Sequence, residues 1–282
     1  MNLRTALPIC FAFFVVAGCT NTGDERSEQI NSDVPVTAPE VLDKYLSVLG
    51  GEQEIQDSLT TFTVMGISTP FEDDSRPAPA PGWAQAHWPT VSFQIQFKNV
   101  DLCLHHSKQE WKHNGKSKDV SVGAFKGQMW RLSSDRVSLA PLPDGVMIDM
   151  MERHGNPKSA LLLKEFSGTM EIQPDSNNEK NNLICIRFTS ENGSEVDRYF
   201  DKETGLMHKR CWKREREMNS TLFHEAIYEY RQQGKFRTLK SISHKLNGQP
   251  HKEIVFDIAE INKEIDDSTF AIPDAVSNSV GK

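Results

Sequence analysis

The feature that most constrains the fold is a series of six short segments with strand character in the second half of the chain. The segments cover residues 183–190, 195–200, 206–217, 221–231, 235–246 and 251–262. Short polar turns separate them, among them Asn192-Gly193 and Asn247-Gly248. Asn-Gly pairs between alternating runs are a strong short-range signal for antiparallel hairpins. This half of the sequence therefore predicts an up-and-down antiparallel meander.

One face of this predicted sheet is apolar. Apolar side chains recur at every second position of the first and last segments: Ile184, Ile186 and Phe188, then Ile254, Phe256 and Ile258. Successive side chains of a strand point to opposite faces, so each set shares one face. A sheet with one apolar face must cover that face with a second sheet, a helix or a ligand. All three remain open from the pattern alone.

The N-terminus carries a localisation signal. Arg4 precedes an apolar run over residues 6–16, and Val16-Ala17-Gly18-Cys19 follows. The run has about half of the ~20 residues that a membrane span requires, which predicts a signal peptide over residues 1–18. The last four residues resemble the lipobox of bacterial lipoproteins. That resemblance implies cleavage before Cys19 and its acylation with palmitate-type chains; an ordinary secretory signal with a chance cysteine is the alternative.

Thr20 and the polar segment that follows indicate where the lipid anchor lies and how it is joined to the domain. By resemblance to the sorting rules of Gram-negative lipoproteins, Thr20 favours an anchor in the outer membrane with the domain facing the periplasm. Residues 19–36 are polar and almost free of large apolar side chains. Such a composition predicts a flexible tether between the lipid and a folded domain.

The folded domain is predicted to begin at Thr37. The segment Thr37-Ala38-Pro39-Glu40 is a capping box. An apolar stripe at helical spacing follows it, made of Val41, Leu42, Tyr45, Leu46 and Leu49. Gly50-Gly51 supplies a C-terminal cap, after which residues 52–58 are predicted as a second helix and residues 60–68 as the first strand.

Motifs at both ends of this domain resemble those of one superfamily. They are residues 43–51 with Leu59 and Met65-Gly66, residues 199–206, and residues 256–262 followed by residues 265–273. In this order and spacing they resemble the LolA/LolB-like superfamily of periplasmic lipoprotein carriers. The resemblance implies a mainly β (α+β) fold: a strongly curved antiparallel half-barrel with an N-terminal helix and short helices plugging its mouth. The domain would cover residues 37–273, leave residues 274–282 as a disordered tail, and enclose an apolar cavity for acyl chains.

The candidate cavity residues combine alternation with this resemblance. Phe93, Ile95 and Phe97 alternate with polar residues and are predicted to point inward. Gly127-Gln128-Met129-Trp130 resembles a family strand, so that Trp130 would line the cavity; a core tryptophan without ligand contact is the alternative. Residues 146–166 predict two short helices across the mouth, and their methionines suit variable acyl chains. The predicted cavity residues are Phe62, Val64, Phe93, Ile95, Phe97, Trp130, Met147, Met150, Ile186, Phe188 and Phe256.

Two further segments each allow two interpretations. Residues 70–90 hold five prolines together with Trp83 and Trp88, too many prolines for paired strand. This insertion is either a surface loop or a flap whose tryptophans contact ligand or membrane. Residues 209–216 form a basic and aromatic run, interpreted as a solvated strand edge. Binding of anionic headgroups or of an acidic partner surface is the alternative.

Four cysteine and histidine residues are candidate metal ligands. Cys103, His105, His106 and His113 are close in sequence, but Cys103 and His105 share one strand face while His106 points to the other. No second arm with ligand spacing follows, so no metal site is predicted. Beyond the signal and Cys19, the cysteines are Cys103, Cys185 and Cys211, which we expect to be buried free thiols.

Composition and the absence of known catalytic motifs argue against some classes of function. The net charge of −7 argues against nucleic acid as a partner. The sequence has no Gly-x-Ser-x-Gly, no His-Glu-x-x-His and no phosphate-binding glycine loop, so neither an enzyme nor a cofactor is predicted. The first hypothesis is a membrane-anchored lipoprotein that binds the acyl chains of a lipid or an acylated lipoprotein. The alternative is an envelope sensor or scaffold that uses the same fold to bind an envelope protein.

Overall fold

The computed structural model describes residues 37–71, 88–111, 114–134, 136–142, 145–174, 182–216 and 220–277. Within these ranges the helices are α1 (Ala38–Leu49), α2 (Glu52–Ser58), α3 (Val146–Arg153), α4 (Lys158–Lys164) and α5 (Asp274–Ser277), with a 3₁₀ helix at Asp267–Phe270. The strands are β1 (Thr61–Pro70), β2 (Thr90–Lys98), β3 (Leu102–Trp111), β4 (Lys116–Phe125), β5 (Gln128–Ser133), β6 (Arg136–Pro141), β7 (Thr169–Ile172), β8 (Leu183–Thr189), β9 (Glu195–Asp201), β10 (Met207–Arg216), β11 (Ser220–Gln233), β12 (Phe236–Leu246) and β13 (Gln249–Ile261).

These thirteen strands form one open sheet in the order β6-β5-β4-β3-β2-β1-β13-β12-β11-β10-β9-β8-β7. All neighbours are antiparallel, and the pairing of β1 with β13 joins two meanders, β1 to β6 and β7 to β13. The six segments predicted in the second half correspond to β8 to β13. The fold class, a mainly β half-barrel that carries helices, is therefore confirmed. Strands β4, β6 and β7 were not among the predicted segments.

The connection between the two edge strands carries the helices that cover the sheet. The chain leaves edge strand β6, forms α3 and α4, and then enters the other edge strand, β7. Helix α4 packs on both α3 and α1. Met147 and Met151 of α3 and Leu163 of α4 are buried in the main core. The two short helices predicted over residues 146–166 are confirmed.

Local chemistry explains where these elements begin and end. Asn247 and Gly248 both have positive φ, 50° and 78°, which the tight turn between β12 and β13 requires. At the start of α1, the Thr37 N–H donates to Glu40 Oε2 at 2.7 Å, and the Glu40 N–H donates to Thr37 Oγ1 at 3.5 Å. The predicted capping box is thus present. Gly50 ends α1 with a φ of 145° and donates its N–H to the Leu46 carbonyl.

The main core lies between the helices and one face of the sheet, which we call the inner face. Leu42, Leu46 and Leu49 of α1 are at most 2% exposed. They share a core with apolar residues of both meanders, among them Phe62, Phe97, Phe188, Phe200 and Phe256. The alternation pattern allowed a second sheet, a helix or a ligand to cover the apolar face. In this protein a helix covers most of it.

The opposite, outer face carries a second, smaller core. Leu102, Ile265 and Phe270 are buried together, and the partly buried Leu104 and Phe125 pack against them. The segment after β13 thus folds back over β3 and β4 and closes with the 3₁₀ helix. The Lys98 ammonium group donates to the Ile265 carbonyl at 2.8 Å and so fixes this segment to β2.

The chain beyond residue 273 differs from the prediction of a disordered tail. Residues Asp274–Ser277 form α5, and Val276 is fully buried. Helix α5 packs on β5 and β6, which gives these residues a hydrophobic partner that the sequence pattern does not show. Among the helices of the described ranges, none is long and apolar enough to cross a membrane. Most of the proline-rich insertion, residues 72–87, lies outside the described residues.

Candidate ligand-binding cleft

The helices do not cover the inner face along its whole length. A cavity of about 490 Å³, here called the cleft, opens between α3 and the ends of β1, β2 and β10 to β13. Its walls consist of Ser68, Trp88, Val91, Phe93, His105, Asp149, Met150, Arg153, His154, Trp212, Arg214, Leu222, His224, Ala226, Tyr228, Ile242, His244, Leu246, His251, Lys252 and Ile254. Cavities of this size, with apolar walls and a few polar groups directed inward, are typical ligand sites.

Aromatic rings form one wall of the cleft. Phe93 lies edge-on to Phe256 and to His154, with ring centroids 5.9 and 5.6 Å apart. His105 approaches Phe93 at 5.9 Å and His154 at 5.3 Å. Because β1 to β3 pair in register, Gly66, Phe93 and Ser107 share the inner face. Gly66 leaves room for the Phe93 ring: a Cβ there would lie 2.8 Å from Phe93 Cζ.

A stack of rings forms the opposite wall. The Trp212 indole lies nearly parallel to the His224 ring, at 4.9 Å and an interplanar angle of 7°. His224 Nδ1 is 3.2 Å from His244 Nε2, so one ring donates a hydrogen bond to the other. His251 continues the series: its centroid is 5.3 Å from that of His244 and 5.0 Å from that of Trp88. Trp88 is half exposed and lies where the cleft opens to solvent.

Three of these histidines titrate well below the usual range. Burial lowers the pKa of His154 and of His244 to about 3, with neighbouring positive groups adding to the effect. Burial, with a smaller effect of His106, lowers the pKa of His105 to about 4. Near neutral pH all three rings are therefore neutral, each with one N–H donor and one acceptor nitrogen. His154 already donates its Nδ1–H to the Met150 carbonyl at 2.6 Å.

The positive charge of the cleft comes from Arg153, Arg214 and Lys252. Burial, and secondarily the charge of Arg153, lowers the pKa of Lys252 from its usual value. The single carboxylate of the cleft, Asp149, is already committed: it accepts from Arg210 at 2.6 Å and from Arg153 at 2.9 Å.

A buried ionic network behind the cleft attaches α3 to the sheet. Glu152, with 1% of its side chain exposed, accepts two hydrogen bonds from Arg198, at 2.7 and 2.9 Å. Arg210 approaches the other oxygen of Glu152 at 3.4 Å. The Arg210 guanidinium also stacks over Trp212, 4.8 Å from the ring centroid. The network therefore fixes both α3 and the tryptophan wall of the cleft.

The chain was compared with known proteins. No protein-family model and no curated protein matches it. Among solved structures, a LolA superfamily protein, NE2245 from Nitrosomonas europaea, is similar, with 13% identity and a TM-score of 0.47 over 84% of this chain and 98% of that one. A putative outer membrane lipoprotein-sorting protein domain from Vibrio parahaemolyticus is also similar, with 9% identity and a TM-score of 0.48 over 86% of this chain and 100% of that one.

These are proteins of the kind that the sequence motifs resemble. With TM-scores below 0.5 and identities of 13% or less, these likenesses support no statement about the function of this chain. The function is therefore argued from the residues of the cleft.

The predicted cavity residues fall into three groups. Phe93 and Met150 line the cleft. Eight pack in the main core: Phe62, Val64, Ile95, Phe97, Met147, Ile186, Phe188 and Phe256. Trp130 lies on the outer face, because it pairs with Gly123 and Gly123 pairs with Leu104, a residue of the outer core. The expectation that Trp130 lines the cavity is therefore wrong. Cys19, the predicted lipidation site, lies outside the described residues.

Sequence reasoning missed the polar residues of the cleft and of the ionic network behind it. Arg210 was interpreted as part of a solvated edge, yet it is 4% exposed, and β10 is an interior strand between β9 and β11. The signal was alternation within the basic run: Arg210, Trp212 and Arg214 occupy every second position and so share one face. The histidines at positions 224, 244 and 251 lie on three different strands, so that no local motif joins them.

Cys103, Cys185 and Cys211 form no disulfide among the described residues. Cys103 and Cys185 are buried free thiols, as expected, whereas Cys211 is only half-buried. His106 points away from the cleft and pairs with Ser121 at 2.9 Å. In the part of the chain that the structure describes, no three His, Cys, Asp or Glu residues are arranged to hold a metal ion. His113 lies outside that part.

Proposed function

We propose that this protein binds an acyl chain of a lipid or of an acylated protein in the cleft. The observation that supports this most directly is the open cavity of about 490 Å³ with apolar side chains from both α3 and the sheet. Phe93, Met150, Ile242 and Ile254 provide surface on which a hydrocarbon chain can pack. Apolar side chains of α1 and the sheet pack against each other elsewhere on the inner face, so we expect the ligand to enter at the cleft.

Burial of hydrocarbon supplies the driving force. Each buried methylene contributes about 0.8 kcal/mol, so that a chain burying about eight methylenes gains roughly 6 kcal/mol. Ordering of the chain and of the side chains around it offsets part of this gain. The expected affinity is moderate, which suits a protein that receives a ligand and passes it on.

The proposed setting is the bacterial outer membrane. Cys19 would carry the acyl anchor after removal of residues 1–18, and residues 19–36 would connect the anchor to the domain. Two or more acyl chains give stable anchoring where a single chain is marginal. An anchored protein does not cross the periplasm, so it acts as a local receiver. Binding, without catalysis, is the proposed activity.

The test is binding of cis-parinaric acid, a fluorescent fatty acid, to the chain from Asn21 onward, which retains the whole compact unit Val36–Lys282. Saturable binding is expected. Met150→Trp, which fills the cleft, should weaken binding about ten-fold or more. Val137→Trp, at a position 40% exposed on β6, is the matched control and should leave affinity unchanged.

Two results would contradict the proposal. One is the absence of saturable binding by the unaltered protein. The other is equal loss of affinity in the Met150 and Val137 variants. Recovery of one stoichiometric protein partner from envelope extracts, with no lipid in the complex, would instead favour the sensor or scaffold hypothesis.

A further inference from the structure

The charge of the cleft is opposite to that of the whole chain. The protein carries a net charge of −7. The cleft contains three cationic side chains, Arg153, Arg214 and Lys252, and one carboxylate, Asp149. That carboxylate pairs with Arg210 and Arg153. Lys252 and Arg214 therefore give the cleft a positive potential within an acidic protein, which attracts anions.

Of the two cleft cations without a carboxylate partner among the described residues, Lys252 is the more buried, since Arg214 is exposed. Lys252 lies on the inner face of β13, opposite Pro70 of β1 and His244 of β12. None of the described carboxylates pairs with it, and the group that perturbs it most, after burial, is another cation, Arg153. A half-buried ammonium group without a counter-ion is unfavourable, and an anion bound beside it would relieve that cost.

A neutral hydrogen-bonding group lies beside this cation. His244 pairs with Lys252 across β12 and β13, and its Nδ1 is buried and has no hydrogen-bond partner among the described residues. The next inward-facing pair on the same two strands is apolar, Ile242 with Ile254, and Phe93 and Met150 also line the cleft. The cleft thus has a polar part and an apolar part, as an amphiphile does.

We propose that the cleft selects lipids with an acidic head group, a carboxylate or a phosphate, over neutral lipids of the same chain length. The head group binds at Lys252, with Arg214 and the His244 ring beside it. The chain lies along Phe93, Met150 and Ile242. This inference rests on the proposed function, and it specifies the class of lipid.

The experiment compares cis-parinaric acid with its methyl ester, which has the same chain and no charge. The acid is expected to bind about ten-fold more tightly, since a hydrogen bond between charged groups contributes more than a neutral one. In Lys252→Met, which keeps the aliphatic stem, the ratio between acid and ester should fall towards one. Lys213→Met removes the same charge from the opposite face of β10 and should leave the ratio unchanged.

Each outcome distinguishes between the two proposals. Equal affinities of acid and ester in the unaltered protein would overturn the head-group inference and leave acyl binding standing. Absence of binding by both probes would overturn the proposed function itself. Displacement of the acid by inorganic phosphate at the concentration at which dodecyl phosphate displaces it would assign the site to a free anion and contradict the lipid assignment. Preferential displacement by dodecyl phosphate would support it.

Discussion

The buried carboxylate of Glu152 shows how one residue can fix the geometry of the cleft. It lies on α3, accepts two hydrogen bonds from Arg198 on β9, and faces Arg210 on β10. A helix held only by apolar contacts can shift by small amounts, whereas paired charges in a buried site tolerate little displacement. We infer that the network positions Met150, Arg153 and His154 against the sheet, since all three flank Glu152 in sequence.

Removal of this charge should be costly. In Glu152→Gln, two buried guanidinium groups lose their carboxylate partner, and the free energy of unfolding should fall by about 3 kcal/mol. Urea denaturation at pH 7 measures the change. The control is Glu229→Gln, which removes an ion pair with Lys240 whose side chains are both over 60% exposed. That pair should contribute less than about 1 kcal/mol, and equal effects of the two substitutions would contradict a structural role for Glu152.

At the scale of elements, the segment after β13 behaves as a separate layer. Asp266 is the N-cap of its 3₁₀ helix, and the Asp266 side chain accepts from the Ser268 N–H at 2.8 Å. That local cap directs Phe270 onto the outer face, where it meets Leu102 and Ile265. The layer covers the sheet on the side away from the cleft. It therefore contributes to stability without lining the cleft.

A substitution in this layer separates stability from binding. Phe270→Ala removes a fully buried ring, and the free energy of unfolding should fall by about 3 to 5 kcal/mol. The affinity for cis-parinaric acid, measured below the unfolding transition, should stay the same. Val100→Ala, at a position 39% exposed, is the control and should change stability by less than about 0.5 kcal/mol. A fall in affinity with Phe270→Ala would place the outer layer in the binding mechanism.

At the scale of the whole molecule, the two meanders and the helical connection meet at the cleft. Strands β2 and β3 contribute Phe93 and His105, and β10 to β12 contribute Trp212, His224 and His244. His154, the C-cap residue of α3, completes the set. Enclosure by these elements keeps the rings neutral. The protonation state of these histidines therefore depends on their burial between the two meanders and α3.

This arrangement predicts an acid-sensitive fold. The unfolded chain binds protons on its histidines near pH 6.5, while in the folded protein the pKa values of His154, His244 and His105 are about 3, 3 and 4. The unfolded state thus binds more protons between these values, and stability present above pH 6.5 is lost as pH falls. Each histidine contributes a slope of up to about 1.4 kcal/mol per pH unit.

Urea denaturation between pH 6.5 and 5.5 measures this slope. The carboxyl groups with lowered pKa values, among them Asp149, Glu225 and Glu229, affect stability mainly near and below their ordinary pKa values of 3.8 and 4.5. His154→Gln should reduce the slope whatever its effect on stability at pH 7. His208→Gln, at an exposed position, is the control and should leave the slope as it is. A slope that is unchanged in the His154 variant would show that its ring accepts a proton without unfolding.

Much of the architecture was decided by local sequence. Turn residues such as Asn247-Gly248 fix hairpins because their backbone conformations are open to few other residues. The capping box and apolar stripe placed α1, and alternation placed Phe93, Ile95 and Phe97 on the inner face. These signals act within a few residues, so that a sequence pattern reveals them directly.

The tertiary structure decided which buried positions line a cavity and which charges are interior. Phe93 and Phe97 have the same local pattern, yet only Phe93 reaches the cleft, because α3 covers the inner face incompletely. Arg210 is buried and Trp130 faces outward, because the pairing of their strands with neighbouring strands sets the face on which each side chain lies. The sequence by itself determined the strands and their alternation. The cleft depends on contacts between elements far apart in the chain, which no local pattern encodes.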